Sequence, residues 1–138
     1  MSRCVMSRIV AALIFVIVTS SVALADGLPI PSYWLNQRGS EMKLFSSDAQ
    51  GNFGGVFINH AAGFACQNTP YDLGGHIWGD RVKFVVVWKN FAADCHSKTI
   101  WRGWLIGNTL HTRWVLISDN PDGTITKLHG FDVFQLQP

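Results

Sequence analysis

No apolar run in this sequence is long enough to cross a membrane as a helix. The run at residues 9–18 falls short of the roughly 20 residues a span needs, and the polar Thr19-Ser20-Ser21 follows it. Arg3 and Arg8 precede the run and the small-residue triplet Ala23-Leu24-Ala25 comes after it, so residues 1–25 read as a secretory signal peptide and residues 26–138 as one domain. Charge of one sign is missing too. The full chain carries +2, but its two basic residues in the signal leave on cleavage, and the remainder balances nine Lys and Arg against nine Asp and Glu. That remainder lacks the basic excess by which proteins hold nucleic acid or an anionic membrane surface, so neither is expected as a partner.

Catalytic and metal-binding patterns are equally scarce. The five histidines, His60, His76, His96, His111 and His129, show no recurring ligand spacing, and no paired carboxylates stand out. The run Asp94-Cys95-His96-Ser97 holds residue types used in nucleophilic catalysis. Neighbours on an extended chain point in opposite directions, so these cannot face one another as nucleophile and base, and the run reads as ordinary loop. The expectation is a protein that is not an enzyme and has neither a metal site nor a cofactor.

Of the three cysteines, Cys4 leaves with the signal, and Cys66 and Cys95 remain. An even pair in an exported chain reads as a disulfide, two free structural thiols being the alternative. The destination is secreted or periplasmic.

Apolar residues past the signal recur mainly at period two or in short runs, broken by turn residues. Candidate strands fall at 33–36, 41–47, 52–58, 71–78, 81–88, 99–106, 109–117 and about 126–135. Gly51-Asn52, Gly79-Asp80, Gly107-Asn108 and Asn120-Pro121-Asp122-Gly123 supply the turns. No helix of useful length is expected. Short links favour an all-β, eight-stranded antiparallel up-and-down barrel, whose closure removes exposed edges and leaves room for one small ligand. Two longer connections, 59–70 and 89–98, each hold one of the two cysteines. In a meander they share one end of the barrel, so a disulfide between them would brace its mouth.

Six tryptophans, Trp34, Trp78, Trp88, Trp101, Trp104 and Trp114, exceed the usual need of so small a core. Trp101 and Trp104 differ by an odd number and face opposite sides of their strand, so at most one of them lines the interior. Composition alone stops at a barrel that binds something flat and apolar.

Five dispersed motifs go further. Trp34-Leu35-Asn36-Gln37-Arg38-Gly39-Ser40, Gly54-Gly55-Val56-Phe57-Ile58-Asn59, the stretch from Trp88-Lys89-Asn90 to His96-Ser97-Lys98-Thr99-Ile100-Trp101, Asn108-Thr109-Leu110-His111-Thr112-Arg113-Trp114 and Gly130-Phe131-Asp132-Val133-Phe134 stand in an order that resembles the avidin and streptavidin family. The resemblance covers nearly all of the chain beyond the signal and implies biotin as ligand and partner. It assigns Asn36 and Ser40 to the ureido oxygen, Asn59 and Asp132 to the ureido N–H groups, and Trp88, Trp101 and Trp114 to the walls of the bicyclic ring. Thr99 would approach the ring sulfur, while Ser97 and the Ala61 backbone would receive the valerate carboxylate. Cys66-Gln67-Asn68-Thr69-Pro70-Tyr71 together with Cys95 is similar to the dimeric, rhizavidin-like branch, whose disulfide joins these loops. The family's tetramers borrow a tryptophan from a neighbour to cap the site. No Trp follows Trp114 here, which implies a homodimer.

The physical logic stands beside the resemblance. A ureido group has one acceptor oxygen and two donor N–H groups, so it needs donors on one side and acceptors on the other. One position departs from the pattern: Phe57 stands where the family places a Tyr that donates to the ureido oxygen. Loss of that donor implies biotin affinity lower by roughly ten-fold to a few hundred-fold than in a Tyr-bearing equivalent. Two other readings remain at this point: the same barrel holding another small cyclic urea or amide, or a peptide, and a secreted protease-inhibitor barrel acting through an N-terminal arm at 26–32.

Overall fold

The computed structural model describes residues 27–138, so the expected signal peptide lies outside the described residues. Eight strands follow in order: β1 (Ser32–Asn36), β2 (Glu41–Ser47), β3 (Asn52–Ile58), β4 (Pro70–Trp78), β5 (Arg81–Lys89), β6 (Asp94–Ile106), β7 (Thr109–Asp119) and β8 (Ile125–Leu136). Each pairs antiparallel with the next, and β8 returns to β1 through Trp34 opposite Leu136 and Asn36 opposite Phe134. The sheet is therefore a closed up-and-down barrel.

The period-two pattern places the core. On β5, Val82, Phe84, Val86 and Trp88 are buried while Lys83, Val85 and Val87 alternate outward. Trp34, Met42, Leu44, Phe53, Leu110 and Phe134 meet them inside the barrel. Burying side chains of this size is worth about 1.5–3 kcal/mol each. Trp34 is fully enclosed because its one polar atom is satisfied locally, Nε1 donating to Ser32 Oγ at 2.8 Å. The two-residue links Gly79-Asp80 and Gly107-Asn108 place glycine at φ 62° and 58°, left-handed values that side chains disfavour and tight hairpins require.

Three sequence expectations need correction. The connection expected over 89–98 is a short hairpin, because Asn90 Oδ1 accepts from the Ala92 and Ala93 N–H groups and turns the chain at once. The run Asp94-Cys95-His96-Ser97, expected as loop, opens β6 instead. It was hidden by a bulge: Lys89 pairs with Asp94 and Val87 with Lys98, so Cys95, His96 and Ser97 all lie opposite Trp88 and the alternation breaks. His96 takes up the distortion at φ 48°. The N-terminal segment is not a projecting arm either, since Leu28 and Ile30 pack against the barrel core.

Candidate functional site

The connections after β1, β3 and β5 crowd one end of the barrel, and a cavity of about 230 Å³ opens there. Asn36, Ser40, Phe57, Asn59, Ala61, Trp88, Ser97, Thr99, Trp101, Trp114 and Asp132 all line it. The structure thus brings together every site residue singled out from the sequence. The Cys66–Cys95 disulfide, with Cα atoms 6.3 Å apart, ties the β3–β4 loop to the bulged start of β6 beside the opening.

Local hydrogen bonds fix which polar atom each amide presents. Asn36 ends β1, and its Oδ1 accepts from the backbone N–H of Arg38 and of Ser40 at 3.0 and 2.9 Å, leaving Nδ2 as the free donor. Asn59 is held the other way, with Nδ2 donating to the Ala65 carbonyl at 3.1 Å. Its Oδ1 accepts from Ala61 N–H at 2.9 Å and from Ser40 Oγ at a long 3.4 Å, so its second lone pair is only weakly engaged. Ala61 N–H is therefore committed to Asn59. Ser40 Oγ accepts from His60 N–H at 3.0 Å and donates its own proton to Asn59 Oδ1 at 3.4 Å, a long bond that a better acceptor can replace.

The aromatic walls are anchored by their N–H groups. Trp88 Nε1 donates to Thr99 Oγ1, and Trp101 Nε1 donates to Asp132 Oδ2, both at 2.8 Å. Phe57 is enclosed between them, its ring centroid 5.1 Å from Trp101 and 5.8 Å from Trp88. Trp104 faces the other way and is half exposed, as its odd spacing from Trp101 requires. Trp114 lies opposite Gly130 of β8, where any Cβ would collide with its indole ring; only glycine leaves room for it.

Several residues at the cavity were not found from the sequence. Phe64, on the β3–β4 loop, stands edge-on to Trp114 at 6.1 Å, so the chain places an aromatic of its own at the opening. Ser118 lines the rim opposite Ser97 in the β6–β7 register. Arg38 and Gln37 converge on Asp132: Gln37 Nε2 donates to Oδ1 at 3.2 Å, and Arg38 Nε lies 3.5 Å from the same oxygen. Burial pushes the Asp132 carboxyl above its ordinary value, and Trp101, Arg38 and Gln37 pull it back. Next to the cavity wall, His60 bridges Glu41 and Asn68 through its two ring nitrogens, each at 2.9 Å. The Glu41 carboxylate raises the His60 pKa, and His60 in turn lowers that of Glu41.

Donors on one side, acceptors on the other and three indoles between suit a flat, uncharged ring system with a urea-like edge. Among the described residues, no three His, Cys, Asp or Glu side chains group as metal ligands.

Residues 27–136 match the Avidin family. Afifavidin of Afifella pfennigii is 45% identical over 80 residues, 57% of this chain and 50% of that protein. The alignment thus spans about half the length of this curated relative. The structure of the bradavidin2–biotin complex is 40% identical and superposes with a TM-score of 0.72, covering 80% of this chain and 100% of that one. The rhizavidin–biotin complex is 36% identical with a TM-score of 0.73, over 80% and 93% of the two chains.

Proposed function

The chain belongs to the avidin family, and on that premise we propose that it binds biotin non-covalently in the barrel mouth, without chemical conversion and without a cofactor. The observation that carries this is the orientation of the amides. Asn36 is held with its donor free and Asn59 with its acceptor available, each by the chain's own backbone. Asn36 and Ser40 serve the ureido oxygen, Asn59 and Asp132 the two ureido N–H groups. Trp88, Trp101 and Trp114 enclose the rings, Thr99 lies towards the sulfur, and Ser97 receives the carboxylate, with Ala61 beside it at the rim and its N–H engaged by Asn59 Oδ1 until a ligand carboxylate displaces that bond. Groups fixed on barrel strands before the ligand arrives lower the ordering cost of binding.

Biotin binding is tested by thermal melting with and without ligand. A ligand at a thousand times its Kd stabilises by about 4 kcal/mol, so the midpoint rises clearly if the reading holds. An unchanged midpoint in millimolar biotin refutes it. Phe57 favours one second reading, another cyclic urea or amide in the same cavity, because no hydroxyl is present there to complete the set of donors to biotin's oxygen. A midpoint raised by such an analogue and not by biotin would select it.

The proposal extends to the whole chain: residues 1–25 act as an export signal, residues 26–138 form the binding domain, and the product is secreted or periplasmic. We also assign it as a homodimer. The support is the outer face of β6–β8, where half-exposed Trp104 and exposed Phe131 flank a depression of about 260 Å³ that includes His111 and Arg113. Light scattering checks this: a dimer is expected, converted to monomer by Phe131→Asp, and a monomeric parent chain contradicts it.

A further inference from the structure

Among the described residues, two ionisable side chains line the cavity, Arg38 and Asp132, and they lie against each other. Asp132 is almost completely buried, whereas the Arg38 side chain remains 38% exposed at the turn between β1 and β2. We infer that Arg38 is a positioning residue for ligand binding, its guanidinium holding Asp132 as an ionised carboxylate that can only accept a hydrogen bond.

The inference rests on the biotin reading, in which Asp132 accepts a ureido N–H. A protonated carboxyl keeps one accepting oxygen, but the oxygen that carries the proton sets a donor against that N–H, and the charge that strengthens the bond is gone. Burial favours the neutral form, because a carboxylate in a low-dielectric surrounding loses its solvation. Trp101 and Gln37 oppose this with neutral hydrogen bonds at 2.8 and 3.2 Å. Among the described residues, Arg38 alone opposes it with charge. Its Nε at 3.5 Å is beyond a short hydrogen bond, but a full positive charge within about 4–6 Å still favours the ionised form.

Among the described residues, no other charge faces Asp132. On β7 its partner is Thr112, whose Oγ1 donates to the Asp132 carbonyl, while His111 and Arg113 pair with Val133 and Phe131, residues of the outer face. From β6 it meets Trp101, and from the β1–β2 turn Gln37 and Arg38. Gln37 locks the geometry by also accepting from Val133 N–H and donating to the Phe131 carbonyl. The turn therefore supplies both the direction of the carboxylate and its charge.

The test is biotin affinity by calorimetry across the pH range in which the barrel stays folded, for the parent chain, Arg38→Met and Arg38→Lys, each also combined with Asp132→Asn. The Kd ratio of Arg38→Met to parent is expected to grow as pH falls, approaching about ten-fold per pH unit once Asp132 protonates in the variant alone. Arg38→Lys keeps the charge and follows the parent profile. With Asn at position 132 the growth disappears. A ratio constant with pH overturns the inference, as does tighter binding by Arg38→Met throughout, which would mean that Arg38 competes for Oδ1. Carbon-13 NMR titration of the ligand-free Asp132 carboxyl separates the two claims. A parent that does not bind biotin refutes the functional reading, while an Asp132 titration unmoved by Arg38→Met refutes the role of Arg38.

Discussion

A single hydroxyl separates tyrosine from phenylalanine, and at position 57 the residue lies on the cavity wall, enclosed by Trp88, Trp101 and Phe134. Phe57→Tyr is expected to tighten biotin binding by roughly ten-fold to a few hundred-fold, read as Kd by competition. An unchanged Kd would mean that the ureido oxygen does not lie near this ring. At this scale the sequence was most informative where adjacent residues carry a whole role, as in the Asn36 to Ser40 turn. It was silent on Arg38 and Gln37. Their partner Asp132 lies more than ninety positions away, and only closure of β8 onto β1 brings them together. Phe64 escaped for a similar reason, since its contact with Trp114 depends on the path of an irregular loop.

Strand boundaries show where periodicity reads well and where it fails. β2 and β3 match the expected ranges because strong turn residues bound them, although alternation is clean only through β3 and a bulge after Leu44 interrupts it in β2. β6 begins at Asp94, five residues before its expected start, because three residues opposing one destroy the period that marks a strand. That same bulge carries Cys95 to Cys66 and Ser97 to the rim. A Cys66→Ser, Cys95→Ser double variant is expected to lose about 3 to 4 kcal/mol of stability, from the closure entropy of a crosslink spanning 29 residues, measured by denaturant unfolding. It is also expected to bind biotin less tightly, since the freed β3–β4 connection holds Asn59 and Ala61. Full stability without the bond would show that the loop is fixed by its other contacts alone.

The whole molecule divides its interior between a packed core and a cavity, and the sequence could specify the first but only outline the second. Alternation together with short hairpins pointed to eight strands and closure, since any open arrangement would leave two edges unpaired. The cavity required the resemblance, because the same tryptophans would serve equally well as packing. Its acidic group also sets stability against function. Asp132 titrates above its unfolded value, so protonation as pH falls through the folded pKa stabilises the free barrel while it weakens a ligand acceptor.

The most direct measurement of the central claim is a titration of the oxidised chain with biotin, followed by tryptophan fluorescence, which reports on Trp88, Trp101 and Trp114 at the cavity wall. The account predicts a saturable change in emission that reaches its end point at one biotin per chain. Emission unchanged up to millimolar biotin, with the barrel intact, would contradict it.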